Sequence, residues 1–211
     1  MKRALATLAV GSLAVLASAC SSEDGQAEPQ DSPAPSVSSS APASSQATSD
    51  LPHSGAPAVD NPLPESTLSG DPCNALTPEQ VKTALGEEAS QGERDDREEL
   101  GKACRWSNIS AHSSFIVGFQ TETEGLSSTY ANAKPQVEAF TEVAPVEGYP
   151  AVTYKTGAED PMCTAVVGVA NEYAVSVTGT LGTDAEREGK DPCGPVQQVA
   201  GWVVSGLKAN S

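Results

Sequence analysis

The chain has 211 residues, with 28 Asp and Glu against 12 Lys and Arg, a formal net charge of −16 and only 4% aromatic residues. That balance excludes a nucleic-acid binder, which needs a basic footprint, and electrostatic adhesion to anionic lipid head groups. The length holds one ordinary domain with room for an extended segment.

The N-terminus reads MKRALATLAVGSLAVLASAC. Lys2 and Arg3 make a basic start, Ala4 to Leu16 is uncharged and apolar, and Ala17-Ser18-Ala19 are small. This is the layout of a secretory signal peptide over 1–19, too short for a membrane span. Cys20 stands where a lipobox places its cysteine, although Ala17 occupies the position usually held by Leu. Cys20 is therefore the expected lipidation site, with palmitate-type acyl chains. Several chains on one residue anchor stably where one does not. The cysteine count agrees. The five are Cys20, Cys73, Cys104, Cys163 and Cys193. Acylating the first leaves four that pair in the oxidising environment outside the cytoplasm. Removing the signal peptide removes two cations and no acid, which takes the formal charge to −18.

From 20 to 64 the composition is Ser, Ala and Pro with scattered acids and no aromatic residue. Such a segment buries too little apolar surface to offset its ordering entropy, so a disordered tether of roughly 35 Å reach is expected. Ser/Thr glycosylation of this tether is left open. His53 falls within it, away from any ordered site.

The folded domain is expected over 65–211. Thr77, Pro78 and Gln80 supply an N-cap, a first-turn proline and a capping box. Leu76 and Val81 occupy the staple positions, and Gly86 closes the helix. The run GEEASQGERDDREELGK is read as a solvated loop, since Asp95, Asp96, Glu98 and Glu99 do not have calcium-loop spacing. Strands are expected in CRWSNI, SSFIVGFQT, GYPAVTYKT, MCTAVVGVA and EYAVSVTG, with EAFTEV a weaker sixth. A short helix lies in LSSTYANAKPQ, and Ala170-Asn171-Glu172 turns a hairpin. Val196, Val199, Ala200, Val203, Val204 and Leu207 recur at three and four residues, the stripe of an amphipathic C-terminal helix. The fold class is α+β: an antiparallel sheet of about five to six strands, the N- and C-terminal helices on one face, pinned by disulfides.

Asp-Pro-Cys occurs at Asp71 and again at Asp191, each time before a helix. Cys104 and Cys163 lie in strands. Four cysteines allow three pairings, and sequence alone does not choose. The preferred one is sequential, Cys73 to Cys104 and Cys163 to Cys193, because it needs only a neighbouring helix and strand at each end of the domain. Each loop is then worth about 3.6 kcal/mol in closure entropy. Trp106 points the same way as Cys104 and is expected in the core.

The order of Asp-Pro-Cys and helix, Cys-x-Trp, strands with VEGYPAV, a strand cysteine and a final Cys–helix resembles an uncharacterised family of actinobacterial lipoproteins, domain of unknown function 3558. The resemblance implies a cell-envelope lipoprotein and brings no activity with it.

Chemistry is sparse. The cysteines lie too far apart for a zinc site. No nucleophile elbow, β-lactamase motif or phosphate loop occurs. His112 is the one imidazole in the domain, read as a solvated turn residue. Asn108-Ile109-Ser110 matches an N-glycosylation acceptor. No catalytic residue, cofactor or metal ligand is assigned. The leading expectation is a monomeric, non-enzymatic module on the outer face of the cytoplasmic membrane, held there through Cys20, that binds an envelope ligand or protein. The rival is a cell-envelope hydrolase whose site is assembled from distant residues. A Ser–His pair around His112 or a cleft of perturbed carboxylates favours the rival. An apolar groove without a titratable cluster favours binding.

Overall fold

A computed structural model describes residues 50–98 and 101–211. The expected signal peptide, Cys20 and most of the tether lie outside the described residues. Seven strands form one antiparallel sheet: β1 (Glu93–Arg94), β2 (Lys102–Asn108), β3 (Ser113–Gln120), β4 (Ala139–Val146), β5 (Tyr149–Lys155), β6 (Met162–Gly168) and β7 (Ala174–Thr180). Their order across the sheet is β1-β2-β3-β7-β6-β5-β4. Two meanders, one from each half of the domain, therefore meet along β3 and β7, with Val117 opposite Val177 at the centre.

Period-two patterning decides which side chains go where. Phe115, Val117 and Phe119 of β3 and Val175 and Val177 of β7 join Ala165 and Val167 of β6 in one large core. Helix α4 (Cys193–Ala209) covers that face, packed on β6 and β7 through its Val196–Leu207 stripe. Helix α1 (Pro78–Leu85) lies beside α4 and β2. Its capping box is complete: Thr77 Oγ1 accepts from Gln80 N–H at 3.3 Å, and Gln80 Oε1 accepts from Thr77 N–H at 2.8 Å. Trp106 is buried and packs on Phe115, ring centroids 5.2 Å apart. The opposite face carries a smaller cluster of Leu126, Tyr130, Val152, Val166 and Ala174. Its helical cover is α2 (Gly125–Ser128), continued by a wide turn over Thr129–Ala133. A short α3 (Thr183–Arg187) lies between β7 and α4.

Three expectations are corrected. The strand count is seven, because the charge run contributes β1. Arg94 pairs with Asp71 and Asp96, Asp95 pairs with Arg97 and Arg105, and Asp96 Oδ1 accepts the Ala103 N–H at 2.8 Å. The run is thus tied to the sheet edge by ion pairs and one strand bridge. Secondly, the helical segments occupy both faces of the sheet, the terminal helices sharing one. Thirdly, packing starts well before residue 65. Val59 and Leu63 are buried in the large core, and their N–H groups donate to Asn171 Oδ1 and to the Val169 carbonyl of the β6–β7 hairpin. His53 belongs to this strap, its N–H donating to Ser127 Oγ at 2.9 Å and its Nε2 lying 3.0 Å from Glu124 Oε2. Two apolar anchors four residues apart fasten a segment whose composition is otherwise that of a linker.

Both disulfides are sequential: Cys73–Cys104 with Cα atoms 5.1 Å apart and Cys163–Cys193 at 5.2 Å. The two Asp-Pro-Cys motifs use one local device. Asp71 Oδ1 accepts from Cys73 N–H at 2.9 Å and Asp191 Oδ1 from Cys193 N–H at 3.2 Å, capping the turn that the proline begins.

Candidate functional site

The strap binds the β6–β7 hairpin. The opposite end of the sheet gathers the start of β3, the end of β7, α3, the second Asp-Pro-Cys and the end of α1. These segments enclose a groove of about 520 Å³. Leu85, Phe115, Val196 and Val199 supply apolar walls, joined by Ala185 and Pro195. The volume and the apolar lining are those of a small-molecule pocket.

Glycines shape it. A Cβ on Gly179 would stand 2.6 Å from Val196 Cγ1, so its absence lets α4 settle onto β7. A Cβ on Gly182 would stand 2.7 Å from the Ala111 carbonyl oxygen, so this glycine admits the close approach of the β2–β3 turn. Polar groups at the groove are the hydroxyls of Ser113, Ser114 and Thr180, with Lys190 and Asp191 at the mouth. Both charges are already engaged. Lys190 Nζ lies 2.8 Å from Glu188 Oε2, and this hydrogen-bonded pair raises the lysine pKa and lowers that of the glutamate. Asp191 caps Cys193.

His112 lines a neighbouring, more open hollow of about 500 Å³ with Ser110, Asp184, Arg187 and Lys190. Its backbone is left-handed, with φ 57°, at the tip of the β2–β3 turn. The two carboxylates there have partners: Asp184 Oδ1 accepts from Arg187 Nη1 at 3.0 Å, and Glu188 pairs with Lys190. The hollow and the groove meet at Gly182, Ala185 and Lys190.

No sequence-predicted site residue lines the groove; the nearest approach is Asp191 and Pro192 of the second motif. Cys193 is bonded to Cys163, and Cys73 to Cys104. Asn108, whose tripeptide matches a glycosylation acceptor only as a motif of little weight, is buried with its amide nitrogen donating to the Leu85 carbonyl at 2.8 Å. The folded chain therefore withholds the atom that glycosylation needs. Phe115 and Val196 were legible as core residues. Ser113, Gly179 and Ala185 had no local signal except smallness near the ends of elements. Among the described residues no group of three His, Cys, Asp or Glu gathers as a metal site, and no helix is long and apolar enough to cross a membrane.

A family model described as a protein of unknown function, DUF3558, matches residues 15–205. Among curated proteins and solved structures, none matches.

Proposed function

The chain belongs to the DUF3558 family of proteins of unknown function, and we propose that it works as an envelope lipoprotein, anchored through acylated Cys20, whose domain binds a small apolar or amphipathic ligand. The observation that carries this reading is the groove at the end of the strands. It is apolar along its walls and edged by hydroxyls, its lysine is paired with Glu188, and Asp191 stands beside it with one carboxylate oxygen capping the Cys193 N–H. Such a site gives an apolar body a dry wall and a polar end a hydrogen-bond donor. The N-terminal strap lies at the far end of the strands, so the tether joins the domain away from the groove.

The test is ligand capture by the full chain isolated from membranes. Native mass spectrometry is expected to find a small apolar adduct, and a fluorescent anilinonaphthalene probe is expected to bind and be displaced by it. Ala185→Trp fills the groove from the short α3 and should weaken probe binding at least about tenfold, with thermal unfolding little changed. Unaltered probe binding in Ala185→Trp would show that the groove is not the site. Loss of the membrane fraction on Cys20→Ala, with lipid labelling abolished, tests the anchor separately.

A further inference from the structure

The sheet has two edges. One is β1, two residues long and laced with ion pairs. The other is β4, eight residues long with none of them buried, beyond which no strand lies among the described residues. A bulge between Val143 and Val146, together with Pro145, disrupts the second half of that edge. Both are devices that discourage edge pairing. The first half, Ala139–Val143, has neither and keeps regular register with β5.

The direction of its backbone groups follows from one hydrogen bond. Glu138 N–H donates to the Thr156 carbonyl at 3.1 Å, which makes that pair a hydrogen-bonded one. Antiparallel pairs alternate, so Phe140 and Glu142 bond to β5 as well. Ala139, Thr141 and Val143 then turn their N–H and C=O groups outward, to the open edge. The same three side chains line a cleft of about 360 Å³ between β4, β5 and the first turns of α4, where Asp191 and Gln197 also stand. On the other face of the strand Phe140 stacks with Tyr154 at 6.4 Å and meets Tyr130 edge-on at 5.2 Å.

We propose that the straight half of β4 accepts an extended, cationic segment of another protein as an eighth strand. Main-chain bonds to the outward groups of Ala139, Thr141 and Val143 hold the segment; its cationic side chains face the cleft, and its apolar ones face Phe140, where Lys134 Nζ already stands 5.1 Å from the ring centroid. Charge chooses the partner. Glu138, Glu142 and Asp191 flank this half of the strand, against Lys134, paired with Glu142 at 3.6 Å, and Lys155, whose Nζ donates to the Ala158 carbonyl. The whole chain carries −16. A second copy of this chain fits poorly. Two strongly acidic chains repel each other along the whole of their approach.

The probe is a fluorescent acetyl-Lys-Val-Lys-Val-Lys-Val-Lys-amide, titrated into the full chain and followed by anisotropy, beside the same peptide with Glu for Lys. Saturable binding of the lysine peptide and at least about tenfold weaker binding of the glutamate peptide are expected. Thr141→Pro deletes one outward N–H without touching a bond to β5, so the fold survives. It should weaken binding about tenfold or more, while Thr141→Val, which keeps the N–H, changes it less than about twofold. Circular dichroism and thermal unfolding of both variants confirm that each is folded. Absence of saturable binding, equal affinity in the two variants, equal affinity for the acidic peptide, or a dimer of the chain that Thr141→Pro dissolves would each overturn the proposal. Ala185→Trp leaves this binding unchanged, which separates it from the groove.

Discussion

Asp71-Pro72-Cys73 and Asp191-Pro192-Cys193 begin alike and end differently. Each aspartate caps its cysteine, each proline is buried, and each cysteine reaches a strand. After Cys73 the helical turn stops within three residues, because Thr77-Pro78 starts a new helix with its own cap. After Cys193 the only proline falls at Pro195, inside the first turn where no N–H is missed, and the helix runs seventeen residues. The first bridge ties a short turn to β2, one strand in from the edge. The second ties the main core helix to β6, deep in the sheet. The same three residues thus fix a corner in one place and the principal layer contact in the other. The residues just after the cysteine decide between the two outcomes.

The comparison is broken most directly at the cysteines. The loops span nearly equal separations of 31 and 30 residues, so closure entropy alone assigns both bridges the same value of about 3.6 kcal/mol. We expect Cys163→Ala with Cys193→Ala to cost about 4 kcal/mol and Cys73→Ala with Cys104→Ala about 3 kcal/mol, read from urea unfolding. Equal losses would mean that the packing of α4 owes nothing to its bridge.

The caps sharpen the comparison at a smaller scale. Asp191→Ala removes one hydrogen bond and should cost about 1 kcal/mol. Asp71→Ala also releases Arg94, whose Nη1 lies 3.2 Å from Asp71 Oδ1, and should cost slightly more, about 1.5 kcal/mol. Paired thermal unfolding curves check the order.

The smallest effect is electrostatic. Beside the first motif, Asp96 is held below the ordinary carboxylate value by its hydrogen bond from Arg94 and then by the Ala103 N–H, and Asp95 by hydrogen bonds from Arg97 and Arg105 against a burial cost. Beside the second, Lys190 lowers Glu188. A lowered folded pKa stabilises the fold at pH values above the ordinary carboxylate range, and that contribution is lost as pH falls through the folded value. Asp96→Asn should therefore flatten the acid limb of the stability curve below about pH 4, and Glu188→Gln should flatten it less. Urea midpoints across the acid range distinguish the two.

Much of this was readable in the chain. Alternation marked β3 and β7, and a capping box with a staple marked α1. The valine stripe marked α4, and the placing of cysteines before helices and in strands favoured the observed pairing. β1 was not readable, since two residues in a charge run become a strand only through ion pairs with β2 and Asp71. The strap was missed because Val59 and Leu63 have neither helical nor strand periodicity among their prolines. The groove escaped for a different reason. Its walls come from the ends of separate elements, and only the closed sheet brings Leu85, Phe115, Ala185 and Val196 together. The aromatic shelf is similar. Tyr130 comes from the wide turn after α2, its hydroxyl buried with no hydrogen-bond partner in good geometry among the described residues. Burial, helped by the Glu142 carboxylate, pushes its pKa up to about 12.

The seam between β3 and β7 is the one place where the two halves of the sheet meet. Cys73–Cys104 closes wholly within the segments leading to β3, and Cys163–Cys193 wholly within the segments around β7, so neither covalent link crosses the seam. Each half can oxidise on local encounters alone. The pairing of Ser114 with Thr180 and Gln120 with Ala174 closes a longer loop than either disulfide does, at a somewhat larger entropic cost. Two separately cross-linked halves are therefore joined at their centre by one seven-residue register that no covalent bond secures.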